Sequence, residues 1–450
     1  MTGWGGHPTG ICPVVSPSNV EEVRRMLRST PHTITPRGLG RAYGDSAISD
    51  RGFVASSLRL DKFHAFEEST GFLDAEAGVS LAEIIDAFLP RGWFLPTTPG
   101  TKFVTLGGAI AADVHGKNHH QVGSIGNFID RVELLLADGR VARCSRNEDP
   151  ELFFATLGGM GLTGFILAAR LRLVPVETSM MRVQYTKTRD LDETLSVFAC
   201  RDSDYEHSVA WIDCLGRKSG LGRSVVMQAN HARHEELPAS LAERPYALPR
   251  SRGFRIPFTL PFSLIGRGSV SLFNEVFYSS HSDRTVLVDL NSFFYPLDSI
   301  GDWNRLYGRR GFIQYQALFP SDMSHRGLTR LLAALATAGC ASFLAVLKRC
   351  GPADGGMLSF AEPGHTLALD IPFSPNETPA LCRTLDRILL EYGGRLYLAK
   401  DAMTDAATFH PMYPRIPEFL AVKRRVDPDD HFMTAQAARL NIRSTEAAAP

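Results

Sequence analysis

Val20, Val23 and Leu27 recur at helical spacing in residues 13–28, PVVSPSNVEEVRRMLR, behind two adjacent valines. This pattern predicts a short strand and then a helix, with Ser18 and Glu21 at capping-box spacing. Thr33 to Pro36, Phe53 to Leu60 and Phe72 to Ala77 read as further strands, and SLAEIIDAF (80–88) as a helix opened by a second box, Ser80 with Glu83. VELLLADGRVARC (132–144) predicts a hairpin on the Asp138-Gly139 turn. Asp149 and Pro150 are placed to cap and start another helix, and a strand is expected from Phe165 to Val174. Near Val176 the pattern lengthens into alternating runs such as SVAWIDC and RTVLVDLNSFFY, so a domain boundary is expected near Thr178.

Three glycine-rich loops interrupt the first part. Arg37 to Ser46 reads RGLGRAYGDS, Pro99 to Asn118 reads PGTKFVTLGGAIAADVHGKN, and Gly158 to Gly164 reads GGMGLTG. The glycines of the first loop are one residue too widely spaced for the dinucleotide fingerprint. The third loop has that spacing, but it follows a helix and precedes a strand, the reverse of what the fingerprint needs. A Rossmann fold is therefore excluded. Glycine pairs alone also serve as turn punctuation around a buried helix start. Several separate loops without that context suit a cofactor cradled by backbone amides along its length.

At 450 residues there is room for two or three domains. Lysine plus arginine equals aspartate plus glutamate, 48 each, so no global field recruits nucleic acid, and an anionic ligand must be held by local charge. Seven scattered cysteines without CxxC spacing argue against a disulfide framework or a zinc site and favour a reducing compartment. Neither a signal peptide nor an apolar run of membrane-spanning length is apparent, so a cytoplasmic location is expected. Residues 235–268 form a proline-punctuated loop with Phe254, Phe258 and Phe262 among Arg244, Arg250, Arg252, Arg255 and Arg267. It reads either as a surface loop packed on its own domain or as a lid or lipid-facing flap. The closing STEAAAP reads as a disordered tail.

Taken with the late segments FIQYQ, FLAVLKR, GGRLYLAKD and FHPMYPR, the three loops resemble the decaprenylphosphoryl-β-D-ribose 2′-oxidase family, flavoenzymes of the vanillyl-alcohol-oxidase type. The resemblance spans roughly residues 13–440. It implies an α+β fold: a two-subdomain, PCMH-type FAD-binding domain plus a substrate domain with an antiparallel sheet. The expected divisions are an N-terminal FAD part over residues 1–178, a substrate domain over 179–394, and a C-terminal segment, 395–450, returning to the FAD domain.

By position, the resemblance implies FAD contacts from Pro36, Arg37, Gly38, Leu39, Gly40, Arg41, Ala42, Tyr43, Gly44, Asp45 and Ser46. It adds Gly100, then Thr105, Leu106, Gly107 and Gly108, then His115, Gly116, Lys117 and Asn118, and finally Ile166 and Tyr397. Tyr43 stands where many relatives of the wider superfamily carry a flavin-linking histidine, so the FAD is expected to be non-covalent. His115, Lys400 and Tyr43 are the implied catalytic residues; read alone, His115 is more simply a loop histidine bonded to backbone, and the resemblance reverses that reading. Gln314, Gln316, Lys348, Ala368 and Lys400 are implied on the substrate side. Gln314 and Gln316 lie two apart and so share one face of a strand, suited to sugar hydroxyls or to a solvent-facing stripe. Ala368 departs from the cysteine frequent in the family. No metal is expected at His115, His119 and His120, which lack a matching cysteine or carboxylate pattern.

The implied reaction is FAD-dependent oxidation of the 2′-hydroxyl of a polyprenyl-phosphoryl-β-D-ribose, with a separate NAD(P)H-dependent short-chain keto-reductase completing an epimerisation to arabinose. Oxidation of a soluble sugar, alditol or aldonolactone is the alternative, and a non-catalytic flavin-binding partner protein a second.

Overall fold

A computed structural model of the chain describes residues 1–29, 32–216, 220–249, 254–340 and 342–444. Arg250, Arg252 and residues 445–450 of the closing tail lie outside the described residues.

The fold is α+β. Short parallel strands, Val14–Val15, Phe53–Ser56 and Ile34–Arg37, form one small sheet with Phe53–Ser56 in its centre. A five-stranded antiparallel sheet follows, in the order Phe63–Glu67, Phe72–Glu76, Phe165–Arg172, Ile129–Leu135, Val141–Ser145. Its outer pair is the Asp138-Gly139 hairpin, with Gly139 at φ 82°, a left-handed geometry that glycine adopts freely. Phe63–Glu67 is an exposed strand that the sequence pattern did not mark, because its residues do not alternate cleanly between buried and open.

An eight-stranded antiparallel sheet fills the later part of the chain. Its order is Arg284–Asp289, Met180–Thr188, Ser224–His231, His207–Ile212, Ala345–Cys350, Gly364–Pro372, Phe312–Pro320 and Arg395–Leu396. The helices Ser324–Ala338 and Thr378–Glu391 pack against one another and against the Phe312–Pro320 strand. Their leucines, Leu328, Leu331, Leu332, Leu335, Leu385 and Leu389, join a continuous apolar core that reaches into the five-stranded sheet.

Helix starts follow the side-chain chemistry. Ser80 accepts from the Glu83 amide and Glu83 returns to the Ser80 amide, closing the expected box, and Asp149 caps Pro150–Thr156. The first helix, Val20–Ser29, differs from expectation: Asn19 accepts from the Glu22 amide at 3.0 Å and Glu22 reaches back to the Ser18 amide at 2.8 Å. No reciprocal box closes here: Asn19, as good a cap as Ser18, takes the cap, Glu22 returns one residue earlier to Ser18, and Val23 and Leu27 are buried.

The C-terminal segment ties the first glycine loop in place. Ile34 bridges to Phe432, and the Thr35 hydroxyl donates to the Met433 carbonyl. Arg439 pairs with Asp45 at 2.7 Å and with Asp401 at 2.9 Å. Lys423, fully buried, donates to Asp427 at 2.8 Å and to the carbonyls of Leu162 and Phe432. In the 235–268 loop, Phe254, Phe258 and Phe262 are each about two-thirds exposed. Among the described residues, no helix is long and apolar enough to cross a membrane.

Candidate active site

The first two glycine loops and the eight-stranded sheet enclose a cavity of about 270 Å³. Glycine lets its walls close up. A Cβ on Gly38 would sit 2.1 Å from the Thr105 hydroxyl, and one on Gly44 2.0 Å from the Asp401 carbonyl, so the Arg37–Ser46 loop lies directly on both neighbours. Gly100 differs, with nothing within 4 Å of its Cβ position, which leaves its backbone open to a ligand.

Pro36 to Tyr43, Ser46, Gly100, Thr105, Gly108, His115 and Tyr397 line this cavity, together with Gln314, Gln316, Lys348, Ala368 and Lys400. The other expected cofactor residues lie behind the wall. Gly44 packs on Asp401, and Asp45 is held by Arg439. Gly107 donates its amide to Ala77, while Leu106 and Ile166 are core. Gly116 abuts Thr97; the Lys117 ammonium turns to the Phe293 carbonyl and ring; Asn118 bonds Thr97 and Pro96. These eight shape the loops without facing the cavity. His119 and His120 are likewise occupied, His119 accepting from the Gly351 amide and His120 facing the Asp202 and Tyr205 carbonyls.

Strand register sets the sheet side of the site. Gln316 pairs with Ala368, Gln314 with Asp370 and Lys348 with Thr366, so these residues share one face. That face is buried, with Gln314 5% and Gln316 4% exposed, and it is not the solvent stripe that alternation also allows. Gln314 donates to Asp370 at 2.5 Å; the Gln316 amide lies 3.2 Å from the Thr366 hydroxyl and 3.1 Å from His115 Nε2. The turn after Arg395–Leu396 brings Lys400 Nζ to 3.9 Å from the centre of the Tyr43 ring. The Tyr397 hydroxyl donates to Ala112, and its ring stacks on Phe360.

Burial dominates the electrostatics. It pulls Lys400 down to about 7, with Asp370 opposing and Lys348 reinforcing, and Lys348 down to about 8. His115 is held well below its ordinary value by desolvation and then by Lys348, His119 and Lys400, so its imidazole is neutral. Tyr43 is driven well above 10 by burial and stays a phenol. Asp370 is raised to about 7 by burial against the hydrogen bond from Gln314 and the charge of Lys400.

The residues fit a flavin dinucleotide. Among the described residues neither Lys348 nor Lys400 has a carboxylate at ion-pair distance, and His115 Nδ1 is buried without a partner. Arg37 and Arg41 also line the cavity, Arg37 donating to the Thr2 and Ala47 carbonyls and Arg41 lying 4.0 Å over Trp4. Such a lining suits pyrophosphate oxygens and an electron-rich ring.

Trp4, Asp298, Trp303, Met160 and Asp370 belong to the site or its wall and were not read from sequence. Met160 sits at φ 52° inside GGMGLTG, a loop that only its glycines mark in the sequence. Asp370 lies two residues beyond Ala368, so strand periodicity would have found it. Nothing local marks Trp4.

Comparison with known proteins gives the same answer. Residues 12–145 match the FAD binding domain family and residues 315–440 the D-arabinono-1,4-lactone oxidase family. The decaprenylphosphoryl-β-D-ribose oxidase of Mycolicibacterium smegmatis is 37% identical over 98% of this chain and 97% of its own. An uncharacterised protein from the mprA 5′ region of Streptomyces coelicolor is 33% identical over 81% of this chain and all of its own. A putative D-arabinono-1,4-lactone oxidase of Neurospora crassa is 27% identical over 38% of this chain and 31% of its own. A two-subdomain PCMH-type flavin fold, a cavity lined with unpaired cations, and likeness along the whole length together place this chain in the decaprenylphosphoryl-β-D-ribose oxidase family, as an FAD-dependent oxidoreductase.

Proposed function

We propose that the chain oxidises the 2′-hydroxyl of a polyprenyl-phosphoryl-β-D-ribose to the 2′-keto sugar, the first half of an epimerisation to an arabinose donor for cell-wall glycan synthesis. The observation that carries this reading is the buried polar face of the large sheet. There two side-chain amides and two lysines without carboxylate partners meet one cavity beside His115.

Bound FAD supplies a two-electron acceptor for the hydride leaving C2′. Lys400 takes the hydroxyl proton at Nζ, because a group near 7 is substantially neutral at physiological pH and can accept it. Tyr43, a phenol throughout, supports Lys400 with its ring face. Gln316 donates to His115 Nε2, which places the imidazole proton on Nδ1 and fixes the ring. Gln314 and Gln316 orient sugar hydroxyls, and Lys348, partly charged near 8, meets the substrate phosphate. The flavin is held non-covalently: His115 is the one histidine and no cysteine lines the cavity among the described residues.

Phe254, Phe258 and Phe262, with Arg255 and Arg267, support a peripheral contact of the 235–268 flap with the cytoplasmic face of a membrane, where a lipid carrier resides. A keto sugar so released needs a separate NAD(P)H-dependent short-chain reductase as pathway partner. Oxidation of a soluble aldonolactone or alditol is the second reading, favoured by the match of residues 315–440. A non-catalytic flavin module is disfavoured by Lys400 and His115 facing the cavity together.

The test is anaerobic flavin absorbance, titrated with polyprenyl-phosphoryl ribose and separately with free ribose and alditols. Bleaching by the lipid-linked sugar alone is expected. Bleaching by free polyols overturns the lipid-linked substrate in favour of the second reading.

A further inference from the structure

Away from the flavin cavity, two strands of the large sheet bring together groups that no part of the reaction uses. His207 opens the His207–Ile212 strand and pairs with Ala229, two residues before His231 at the end of Ser224–His231. Period-2 alternation therefore puts both imidazoles on one face as diagonal neighbours, their ring centres 5.5 Å apart. Glu206 completes the group. Its Oε2 accepts the His231 backbone N–H at 3.0 Å and lies 3.9 Å from His207 Nε2. One nitrogen of each ring and one Glu206 oxygen all lie within 4.8 Å of one another.

We propose that Glu206, His207 and His231 form a binding site for a divalent cation of the zinc class. Two imidazoles and one carboxylate are the donor set of an open tetrahedral zinc site, whose bonds of about 2.0–2.1 Å place ligand atoms about 3.4 Å apart. Binding therefore requires the observed group, within 4.8 Å, to draw closer. The Nδ1 atoms of both histidines are buried without a hydrogen-bond partner. Phe94, Phe293 and Phe294 pack against the two rings, and the His207 nitrogen turned towards Glu206 is Nε2.

Glu206 is half exposed at the edge of a solvent-connected cavity, which supplies an entry path and a position for a metal-bound water.

None of the three residues lines the flavin cavity, but the next residue, Ser208, donates its amide to the Lys117 carbonyl at 2.7 Å, two positions past His115. A cation there fixes the start of this strand and, through Ser208, the loop that carries His115.

The experiment takes the untagged, flavin-loaded chain, strips it with chelator and titrates it with Zn²⁺ by calorimetry and with Co²⁺ by visible absorbance. One equivalent of Zn²⁺ is expected, with a rise in Tm and a tetrahedral Co²⁺ spectrum free of thiolate charge transfer. Binding should weaken at least about tenfold in Glu206→Gln and in His231→Gln. Glu206→Gln keeps an oxygen for the His231 amide, so loss there is not a folding failure. No Zn²⁺ uptake, uptake unchanged in both variants, or a cysteine-ligated Co²⁺ spectrum overturns the proposal.

Discussion

His115 and Gln316 are 201 positions apart in sequence, yet His115 Nε2 and the Gln316 side-chain nitrogen lie 3.1 Å apart, joining the second glycine loop to the substrate face of the large sheet. Gln316→Leu removes the donor that fixes the imidazole. The expected loss is about 1–3 kcal/mol of transition-state stabilisation, about 5- to 150-fold in the rate of flavin reduction, with flavin content unchanged. Stopped-flow reduction reads it; an unaltered rate would mean that the contact has no part in catalysis.

Lys400 gives a pH dependence of defined sign. Its proton-accepting form is the deprotonated one, so the rate of substrate-dependent reduction should climb as pH rises through about 7 and level off above it. Lys400→Met should abolish that limb and slow reduction by about 10²–10⁴. The same depression has a consequence for folding. Between about 7 and 10.5 the unfolded chain binds more protons than the folded one, so the contribution of Lys400 to stability increases with pH across that window. A rate that falls with rising pH near 7 would remove Lys400 from the role of base.

Lys423→Met leaves Asp427 charged in a fully buried site and frees the Leu162 and Phe432 carbonyls. About 3–5 kcal/mol of stability should be lost in urea unfolding, with weaker flavin retention, because Leu162 belongs to GGMGLTG. A loss under about 1 kcal/mol would show that water or a rearranged partner replaces the ammonium.

Acid precipitation should release the flavin into the supernatant. A yellow pellet that stays yellow after washing would identify a covalent bond that Tyr43 in place of histidine does not lead one to expect.

Phe258→Ser with Phe262→Ser should reduce co-sedimentation with anionic vesicles, since each exposed phenylalanine contributes about 1.5–3 kcal/mol when buried. Turnover of a water-soluble, short-chain substrate analogue should be unchanged. Equal vesicle binding by the variant would mean that this flap is not the docking element.

Local signals carried well from sequence to structure. The Ser80–Glu83 box, the Asp149 cap and the Asp138-Gly139 hairpin depend on neighbouring residues only, and all three form. So do the glycine loops, whose close approaches need an absent Cβ at Gly38 and Gly44. What depends on register or on distant chain was hidden. Asp370 matters because Gln314 lies opposite it, and Trp4 because Arg41 lies over it. Strand periodicity from Ala368 puts Asp370 on the substrate face, whereas nothing near Trp4 announces its role. The resemblance named loop positions without distinguishing those that face the cavity from those behind it, such as Lys117 and Ile166, since that depends on which way each side chain turns after packing.

The pairing of Arg439 with Asp45 and Asp401, and the seating of Ile34 beside Phe432, also bear on how the enzyme is made. The first glycine loop leaves the ribosome nearly four hundred residues before the arginine that braces it. During synthesis its half of the flavin cleft has no partner, so a chain cut short before Arg439 is expected to be colourless, and flavin capture becomes a late event that waits for synthesis to pass that arginine.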